Sequence, residues 1–370
     1  MRDEQVMRQA IRAAASSRRA SAPWPHVGCV LVRDGEVVGE GATGPFPTGP
    51  HAEVAALAAA GERARGATAF TTLEPCNHHG NTPPCTDALI AAGVTRVVAA
   101  LEDPDPLVSG SGVARLRAHG IDVATGVAAD AAGEQLAAYL HHRRTGRALC
   151  LLKIATSLDG RITAADGSSR WITGEAARAD AHELRADSQA IIVGAGTAIA
   201  DDPELTVRGA RAPQPLHPPL RVLLDARGRV PASGRLADPT LAPTLIVATD
   251  LAPGEVLEAW RAVGASVEVV PFVADDHGSG VDLKSTLSLL GARGVLQAMV
   301  EGGAYLHGAL LHAGLVDRMA VYVGNTLLGT GGRAAYGFAG PASLGDARRH
   351  RLRSVKQLGD DVRLDYVVGA

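Results

Sequence analysis

Apolar residues in the first part of the chain alternate between helical spacing and short continuous runs. Residues 3–18 show the helical spacing and begin with Asp3, which can cap a helix. The apolar runs 27–32 and 37–41 flank Asp34-Gly35, a strong signal for a tight β-hairpin turn. Further helices and strands are predicted in alternation at residues 51–60, 68–72, 85–92, 95–100, 109–119, 121–124 and 128–140. This alternation predicts a three-layer α/β domain.

The second part of the chain repeats the alternation with longer apolar runs. A helix is predicted from Gly174 to about Ala186, with Thr173 as its cap. The segments 209–219 and 271–280 predict loops from their composition. Strands are predicted at residues 149–155, 190–193, 220–225, 244–248 and 296–301. We therefore expect a second α/β domain.

The boundary between the two domains is predicted near residues 141–147. This segment, His-His-Arg-Arg-Thr-Gly-Arg, is polar and contains a glycine, as linkers often do. A length of 370 residues also indicates two domains. We predict a first domain at residues 1–143 and a second at residues 147–370.

Composition and charge exclude several classes of partner. The net charge of −3, without a basic stripe, argues against nucleic acid. No apolar run reaches 18 residues, which argues against a membrane span. Four unevenly spaced cysteines and a polar start indicate a reducing compartment, so we expect a soluble cytoplasmic protein. Cys29 and Cys150 lie in apolar runs and are predicted to be core residues.

Candidate chemistry is concentrated between residues 51 and 85. One imidazole, His51, and two thiolates, Cys76 and Cys85, match the ligand set of a catalytic zinc, which leaves one position for water and lowers its pKa to about 7. Glu53 is the predicted proton carrier. Residues i and i+2 of a regular helix point about 200° apart, so we place His51 at the helix cap, after Gly49-Pro50. Two interpretations compete with this one: buried structural cysteines, or a closed structural zinc site completed by His78 or His79.

The order His-x-Glu, Pro-Cys and then a second cysteine resembles the signature of the zinc-dependent base deaminases. The usual Pro-Cys-x-x-Cys spacing is expanded here, because residues 77–84 separate Cys76 from Cys85. With Leu73-Glu74-Pro75 before it and Thr86-Asp87 after it, this loop is similar to that of the pyrimidine deaminase of riboflavin biosynthesis. The resemblance implies that His51, Cys76 and Cys85 bind Zn²⁺ and that Glu53 is catalytic.

Three positions depart from that family's pattern. Trp24 precedes Pro25 where the family has asparagine, residues 44–49 contain no histidine, and Asp105 stands where the family has asparagine. The zinc chemistry is untouched by these changes. We favour the same pyrimidine substrate held by other groups, because pocket contacts vary more readily than chemistry. A related aminopyrimidine from another pathway is the alternative.

The second half is similar to the reductase of the same pathway, most clearly between Lys153 and Arg208 and at Glu301-Gly302-Gly303. The resemblance implies a dihydrofolate-reductase-like fold and NADPH as hydride donor. It assigns the NADPH site to Ala155, Trp171, Thr197, Asp201, Gly303, Ala304, Tyr305, Leu306, His307, Gly308 and Ala309. It assigns the substrate's 5-phosphate to Arg185 and Arg208, and it places Lys153 near the reacting carbon. It also implies that Ser169 and Leu205 line the substrate pocket and that Glu301 contacts the sugar.

Together the two resemblances imply a bifunctional enzyme of riboflavin biosynthesis. We expect a cytidine-deaminase-like domain followed by a dihydrofolate-reductase-like α/β domain, with Zn²⁺ and NADPH as cofactors. The expected substrate is 2,5-diamino-6-(5-phosphoribosylamino)pyrimidin-4(3H)-one, which loses its 2-amino group before its ribosyl group is reduced. By analogy we expect a homo-oligomer. Two other interpretations are a base deaminase with an inactive appended domain and a nucleotide-binding regulator that senses NADPH.

Overall fold

The computed structural model describes residues 2–80, 82–209, 215–275, 278–337 and 340–369. These residues form a five-stranded sheet, a nine-stranded sheet and a separate two-stranded sheet. The chain forms two compact units, Met1–Gly146 and Arg147–Ala370. None of the helices in these described ranges has the length and hydrophobicity that crossing a lipid bilayer requires.

The first unit is a five-stranded sheet with helices. Its elements are α1 (Asp3–Ala14), β1 (Gly28–Arg33), β2 (Glu36–Ala42), α2 (Ala52–Ala60), β3 (Thr68–Thr71), α3 (Cys85–Ala91), β4 (Arg96–Ala99), α4 (Ser111–Ala118), β5 (Asp122–Thr125), α5 (Ala129–Gln135) and α6 (Ala137–Thr145). The strand order is β2-β1-β3-β4-β5. Strand β1 is antiparallel to both neighbours, whereas β3, β4 and β5 are parallel. The predicted hairpin turn is confirmed, because Asp34 and Gly35 have φ of 51° and 81°.

The second unit is built on a nine-stranded sheet. Its elements are β6 (Leu149–Thr156), α7 (Glu175–Ala186), β7 (Ala190–Gly194), α8 (Ala195–Asp201), β8 (Leu220–Leu224), β9 (Thr244–Ala248), α9 (Gly254–Ala262), β10 (Ser266–Val269), β11 (Phe272–Asp275), β12 (Gly278–Val281), α10 (Leu283–Ala292), β13 (Gln297–Val300), α11 (Ala304–His312), β14 (Arg318–Val323), β15 (Arg351–Leu358) and β16 (Asp361–Val367). The order is β10-β9-β8-β7-β13-β6-β14-β16-β15, parallel from β10 to β14 and antiparallel beyond it.

Small aliphatic side chains fill both cores, as the low aromatic content requires. In the first unit Val6, Met7 and Val30 pack with Phe70 and Val98. In the second unit the core includes Cys150, Leu152, Ile154, Ile192, Val222, Leu245, Leu290 and Val300. Cys29 and Cys150 are both fully buried free thiols, which confirms their prediction as core residues.

Three local predictions were wrong. Residues 141–145 belong to α6 rather than to a linker. Within 271–280 the described residues form the β11–β12 hairpin rather than a plain loop. Thr173 does not cap α7. Gly174 is the cap residue, and its N–H donates to Asp361 Oδ2 at 2.6 Å. The prediction for 209–219 lies partly outside the described residues.

Candidate functional site

The start of α2 positions two residues of the candidate metal site, His51 and Glu53. His51 is the cap residue of α2, with an extended backbone (φ −69°, ψ 158°), and helical geometry starts at Ala52. Glu53 lies in the first turn and is almost fully buried. In a regular helix, the rotation of about 100° per residue would point the side chains of His51 and Glu53 in different directions. Because the backbone of His51 is extended, this rotation does not apply, and both side chains can face the same site. The cap placement predicted for His51 is therefore confirmed.

Two cysteines from other parts of the first unit reach the same imidazole. Cys76 follows β3, and Cys85 is the first residue of α3. The Sγ atoms of Cys76 and Cys85 lie 3.5 and 3.2 Å from His51 Nδ1, and all three ligand atoms lie within 4.8 Å of one another. Tetrahedral zinc, with bonds of about 2.05 Å to nitrogen and 2.3 Å to sulfur, separates N from S by about 3.6 Å. The three side chains therefore fit a zinc ion without rearrangement.

The ligand group has three members rather than four. Among the residues that the structure describes, neither His78 nor His79 joins it, and His79 is exposed. A three-ligand group of one imidazole and two thiolates leaves one coordination position for water, as catalytic zinc sites do. This geometry favours the catalytic interpretation over a closed structural site.

The electrostatics of this cluster suit a bound cation. Hydrogen bonds from Cys85 and His51 lower the pKa of the Cys76 thiol to about 4, so Cys76 is a thiolate. Burial, together with the neighbouring Cys76 thiolate, raises the pKa of Glu53 to about 7. The Cys85 thiol also hydrogen-bonds the Glu53 carboxylate, which places Glu53 beside the ligand group. Accumulated negative charge in a buried pocket is the environment that a divalent cation stabilises.

A buried carboxylate, Glu74, holds the segment that carries Cys76. Its two oxygens accept N–H groups from Asp103, Gly110, Gly112 and Val113 at 2.9–3.2 Å. A Cβ atom on Gly112 would lie 2.1 Å from the Pro75 carbonyl oxygen, so only glycine allows this approach. Sequence reasoning used Glu74 as part of a motif and missed this role.

Of the positions that depart from the expected family pattern, Trp24 lies next to His51. The Trp24 ring is 5.2 Å from the His51 ring and 5.1 Å from the Phe46 ring, edge to face in both cases. The Asp105 carboxylate (Oδ2) lies 3.1 Å from Arg143 Nε. Arg143 belongs to α6, in the segment that was expected to be a linker. An aromatic pair therefore stands beside the metal ligand, where the family pattern has polar residues.

The second unit contains a cavity of about 1010 Å³ at the carboxyl ends of its parallel strands. This volume is at the upper end of the range for ligand sites, about 300–1,000 Å³. Of the residues predicted for the two ligands, Gly308 alone is outside the lining. The other predicted residues all line the cavity: Lys153, Ala155, Ser169, Trp171, Arg185, Thr197, Asp201, Leu205, Arg208, Glu301, Gly303, Ala304, Tyr305, Leu306, His307 and Ala309. Gly308 is buried inside α11.

Two glycines begin helices at one edge of this cavity. Gly194 is the cap of α8 at the end of β7, and Gly303 is the cap of α11 after β13. Since β7 and β13 are adjacent and parallel, both helix starts meet at the same sheet edge. Free N–H groups at helix starts favour phosphate. The edge is therefore suited to the phosphates of a nucleotide.

Charged residues deep in the cavity form one network. Arg185 donates from Nε and Nη2 to the two oxygens of Glu301, at 2.5 and 2.8 Å, and from Nη1 to the Thr206 carbonyl at 2.9 Å. Lys153 Nζ lies 4.0 Å from Glu301 Oε2. Burial lowers the pKa of Lys153, and the Glu301 carboxylate opposes this effect.

Arg208 and Trp171 lie nearer the solvent. Arg208 pairs with Glu204, and its backbone N–H donates to His182 Nδ1 at 3.0 Å. The Trp171 side chain is 69% exposed, and the Arg178 guanidinium lies 4.5 Å above its ring. Arg185 and Arg208 therefore differ in environment, since one is fixed by a buried carboxylate and the other remains accessible.

Comparisons with known proteins agree with both halves. Residues 1–101 match the cytidine and deoxycytidylate deaminase zinc-binding region, and residues 149–364 match the RibD C-terminal domain. The chain is 42% identical to the riboflavin biosynthesis protein RibD of Escherichia coli K12 over 100% of both chains. The chain belongs to the RibD family. The family resemblance and the fold class predicted from the sequence are thereby confirmed.

Solved structures give the same result. RibD of Acinetobacter baumannii superposes with a TM-score of 0.89 at 39% identity, covering 100% of this chain and 99% of that one. A diaminohydroxyphosphoribosylaminopyrimidine deaminase/5-amino-6-(5-phosphoribosylamino)uracil reductase from Thermotoga maritima superposes with a TM-score of 0.84 at 29% identity, covering 99% of both chains. This RibD-family chain is thus a deaminase–reductase fusion of riboflavin biosynthesis, with a zinc-binding deaminase domain before the reductase domain.

Proposed function

We propose that the first unit removes the 2-amino group of 2,5-diamino-6-(5-phosphoribosylamino)pyrimidin-4(3H)-one, and that the second unit reduces the ribosyl group with NADPH. The observation that carries the proposal is the convergence of His51, Cys76 and Cys85 within 4.8 Å, beside buried Glu53. The name of the Thermotoga maritima relative describes these two activities in one protein.

In the deamination step, His51, Cys76 and Cys85 hold the metal. Zn²⁺, when bound, supplies a Lewis acid that makes water nucleophilic near neutral pH. Glu53 takes a proton from the attacking water and delivers it to the departing amine, so that C2 gains oxygen and ammonia leaves. Burial of the Glu53 carboxyl group raises its pKa toward neutrality, which helps it both to take up and to release a proton.

In the reduction step, the starts of α8 and α11 would hold the nucleotide phosphates, and Thr197 and Asp201 line the same site. NADPH, when bound, supplies the hydride that goes to C1′ of the ring-opened sugar. Glu301 contacts the sugar hydroxyls, and Lys153 delivers a proton or stabilises charge beside it. Accessible Arg208 takes the 5-phosphate as a guanidinium fork. Arg185 acts at the same end of the cavity by orienting Glu301.

A second candidate substrate is a related aminopyrimidine, and the Trp24–Phe46 pair beside His51 favours it. An aromatic wall binds a ring face without the hydrogen bonds that asparagine and histidine would give. The two candidates share the deamination chemistry and differ in what surrounds the pyrimidine.

The test is to incubate the zinc-loaded protein with the diaminopyrimidine phosphoriboside and to follow ammonia release and NADPH oxidation separately. We expect ammonia release without NADPH, and NADPH oxidation only after deamination. A diaminopyrimidine that lacks the phosphoribosyl group is the comparison substrate. Faster turnover of this comparison substrate would favour the second candidate, and no ammonia from either would refute the proposal.

A further inference from the structure

The two nitrogen atoms of the His51 ring face different groups. Nδ1 faces both sulfur atoms, at 3.5 and 3.2 Å. Nε2 lies on the other side of the ring, 3.3 Å from Thr82 Oγ1. A neutral imidazole that binds a metal through Nδ1 must carry its proton on Nε2. The side chain positioned to accept that proton in a hydrogen bond is Thr82.

We propose that Thr82 is a positioning residue for the metal ligand His51. Its hydroxyl oxygen accepts the Nε2 hydrogen, which fixes the tautomer with the Nδ1 lone pair toward the sulfur atoms. The hydrogen bond also fixes the ring orientation. Partners of this kind, on the far nitrogen of a ligating histidine, typically contribute 10–100-fold to metal affinity. The proposal rests on the assignment of His51 as a ligand in the proposed function.

The described residues on either side of Thr82 explain why this contact is preorganised. Thr82 is followed by Pro83 and Pro84, which restrict the backbone up to Cys85. The two ends of the loop are joined, because Thr86 N–H donates to the Cys76 carbonyl at 3.2 Å and Thr86 Oγ1 donates to Asn77 Oδ1 at 3.1 Å. These bonds hold Cys76 close to the start of α3, and Thr82 lies three residues before Cys85 on the segment between them.

This arrangement gives a role to the expanded spacing. A Pro-Cys-x-x-Cys segment turns directly from one sulfur ligand to the next. With eight residues between Cys76 and Cys85, Thr82 lies at the Nε2 side of the imidazole, away from the sulfur atoms. The loop therefore connects the two cysteine ligands and also supplies a hydrogen bond to the third ligand, His51.

The test measures zinc affinity of the full-length protein, by competition with a chromophoric chelator and without substrate. Thr82→Val keeps the shape of the side chain but removes the acceptor, and Thr82→Ser keeps the hydroxyl. Thr125→Val, at the exposed end of β5, is the matched control. Absorption of the Co²⁺-loaded proteins checks that two thiolates still bind the ion, and circular dichroism checks the fold.

We expect the zinc dissociation constant of Thr82→Val to rise by about 10–100-fold. Thr82→Ser and Thr125→Val should stay close to the unsubstituted protein. Unchanged affinity in Thr82→Val would overturn the proposal, and so would equal losses in Thr82→Val and Thr82→Ser, because packing rather than the hydroxyl would then be responsible. Failure of the deaminase proposal would appear instead as absent ammonia release from a protein that binds zinc normally.

Discussion

Arg185 and Glu301 form a bidentate ion pair in the cavity of the second unit, although 116 residues separate them in sequence. Burial alone would raise the pKa of Glu301, but the Arg185 charge outweighs it and lowers that pKa to about 2. Glu301 is therefore an anion at any pH where the protein works. Its negative charge also lies 4.0 Å from Lys153.

Removing Arg185 should destabilise the second unit. In Arg185→Gln the buried Glu301 carboxylate loses its main cation, and breaking a buried pair of this kind costs about 3–5 kcal/mol. Urea denaturation measures this loss. Arg208→Gln is the comparison, because its pair with Glu204 is half-exposed and its loss costs about 1 kcal/mol or less. Equal losses in the two variants would contradict a buried, coupled pair.

Loss of the proton from Lys153 should determine how the rate of NADPH oxidation falls at alkaline pH. Burial lowers its pKa, so the ammonium form that can donate a proton disappears as pH rises through that value. We expect kcat for NADPH oxidation to fall at alkaline pH. Lys153→Met should lower kcat at all pH values, by about 10²-fold or more. An unchanged kcat in Lys153→Met would exclude proton delivery by this residue.

The second unit should lose stability on mild acidification through His307. Burial lowers the pKa of His307 to about 4, against 6.5 in an unfolded chain. Between these values the unfolded state binds more protons, so the free energy of unfolding falls as pH decreases. From pH 7 to pH 5 this group accounts for about 2 kcal/mol. His307→Gln should reduce the loss by that amount, whereas exposed His217→Gln should leave it unchanged.

Glu74 should be essential to the fold around the metal site. Glu74→Gln replaces an anion that accepts four N–H groups with an amide whose NH₂ faces some of them. We expect a loss of about 2–4 kcal/mol in the free energy of unfolding, with faster hydrogen exchange at Gly110, Gly112 and Val113. Glu36→Gln, at an exposed position, is the control. Unchanged exchange at these amides would show that the carboxylate is not their anchor.

The ligand group and most elements could be predicted because their signals are local. The Gly49-Pro50 pair before His51 indicated a helix start, and the Asp34-Gly35 pair indicated a hairpin turn. Predictions of secondary structure were wrong in segments whose polar composition is typical of loops but which form a helix or a strand. Residues 141–145 look like a linker but form the last turns of α6, and Phe272–Asp275 pairs with a strand of glycine and serine.

Contacts between distant residues carried no sequence signal when they lay outside a recognisable motif. A threonine within a loop does not reveal that its hydroxyl faces His51, and nothing local to Arg185 indicates Glu301. The cap of α7 was missed for the same reason, because Asp361 comes from β16 at the far end of the chain. Tertiary packing determines such contacts, whereas periodicity and turn chemistry determine the elements.

The most direct test of the account is ammonia release by zinc-loaded Glu53→Gln. Glutamine keeps the size of the side chain but cannot carry the proton, so we expect release to slow by about 10²–10⁴-fold. Zinc content should stay at that of the unsubstituted protein, and NADPH oxidation on pre-deaminated substrate should continue. Ammonia release at the unsubstituted rate, with zinc bound, would contradict the account.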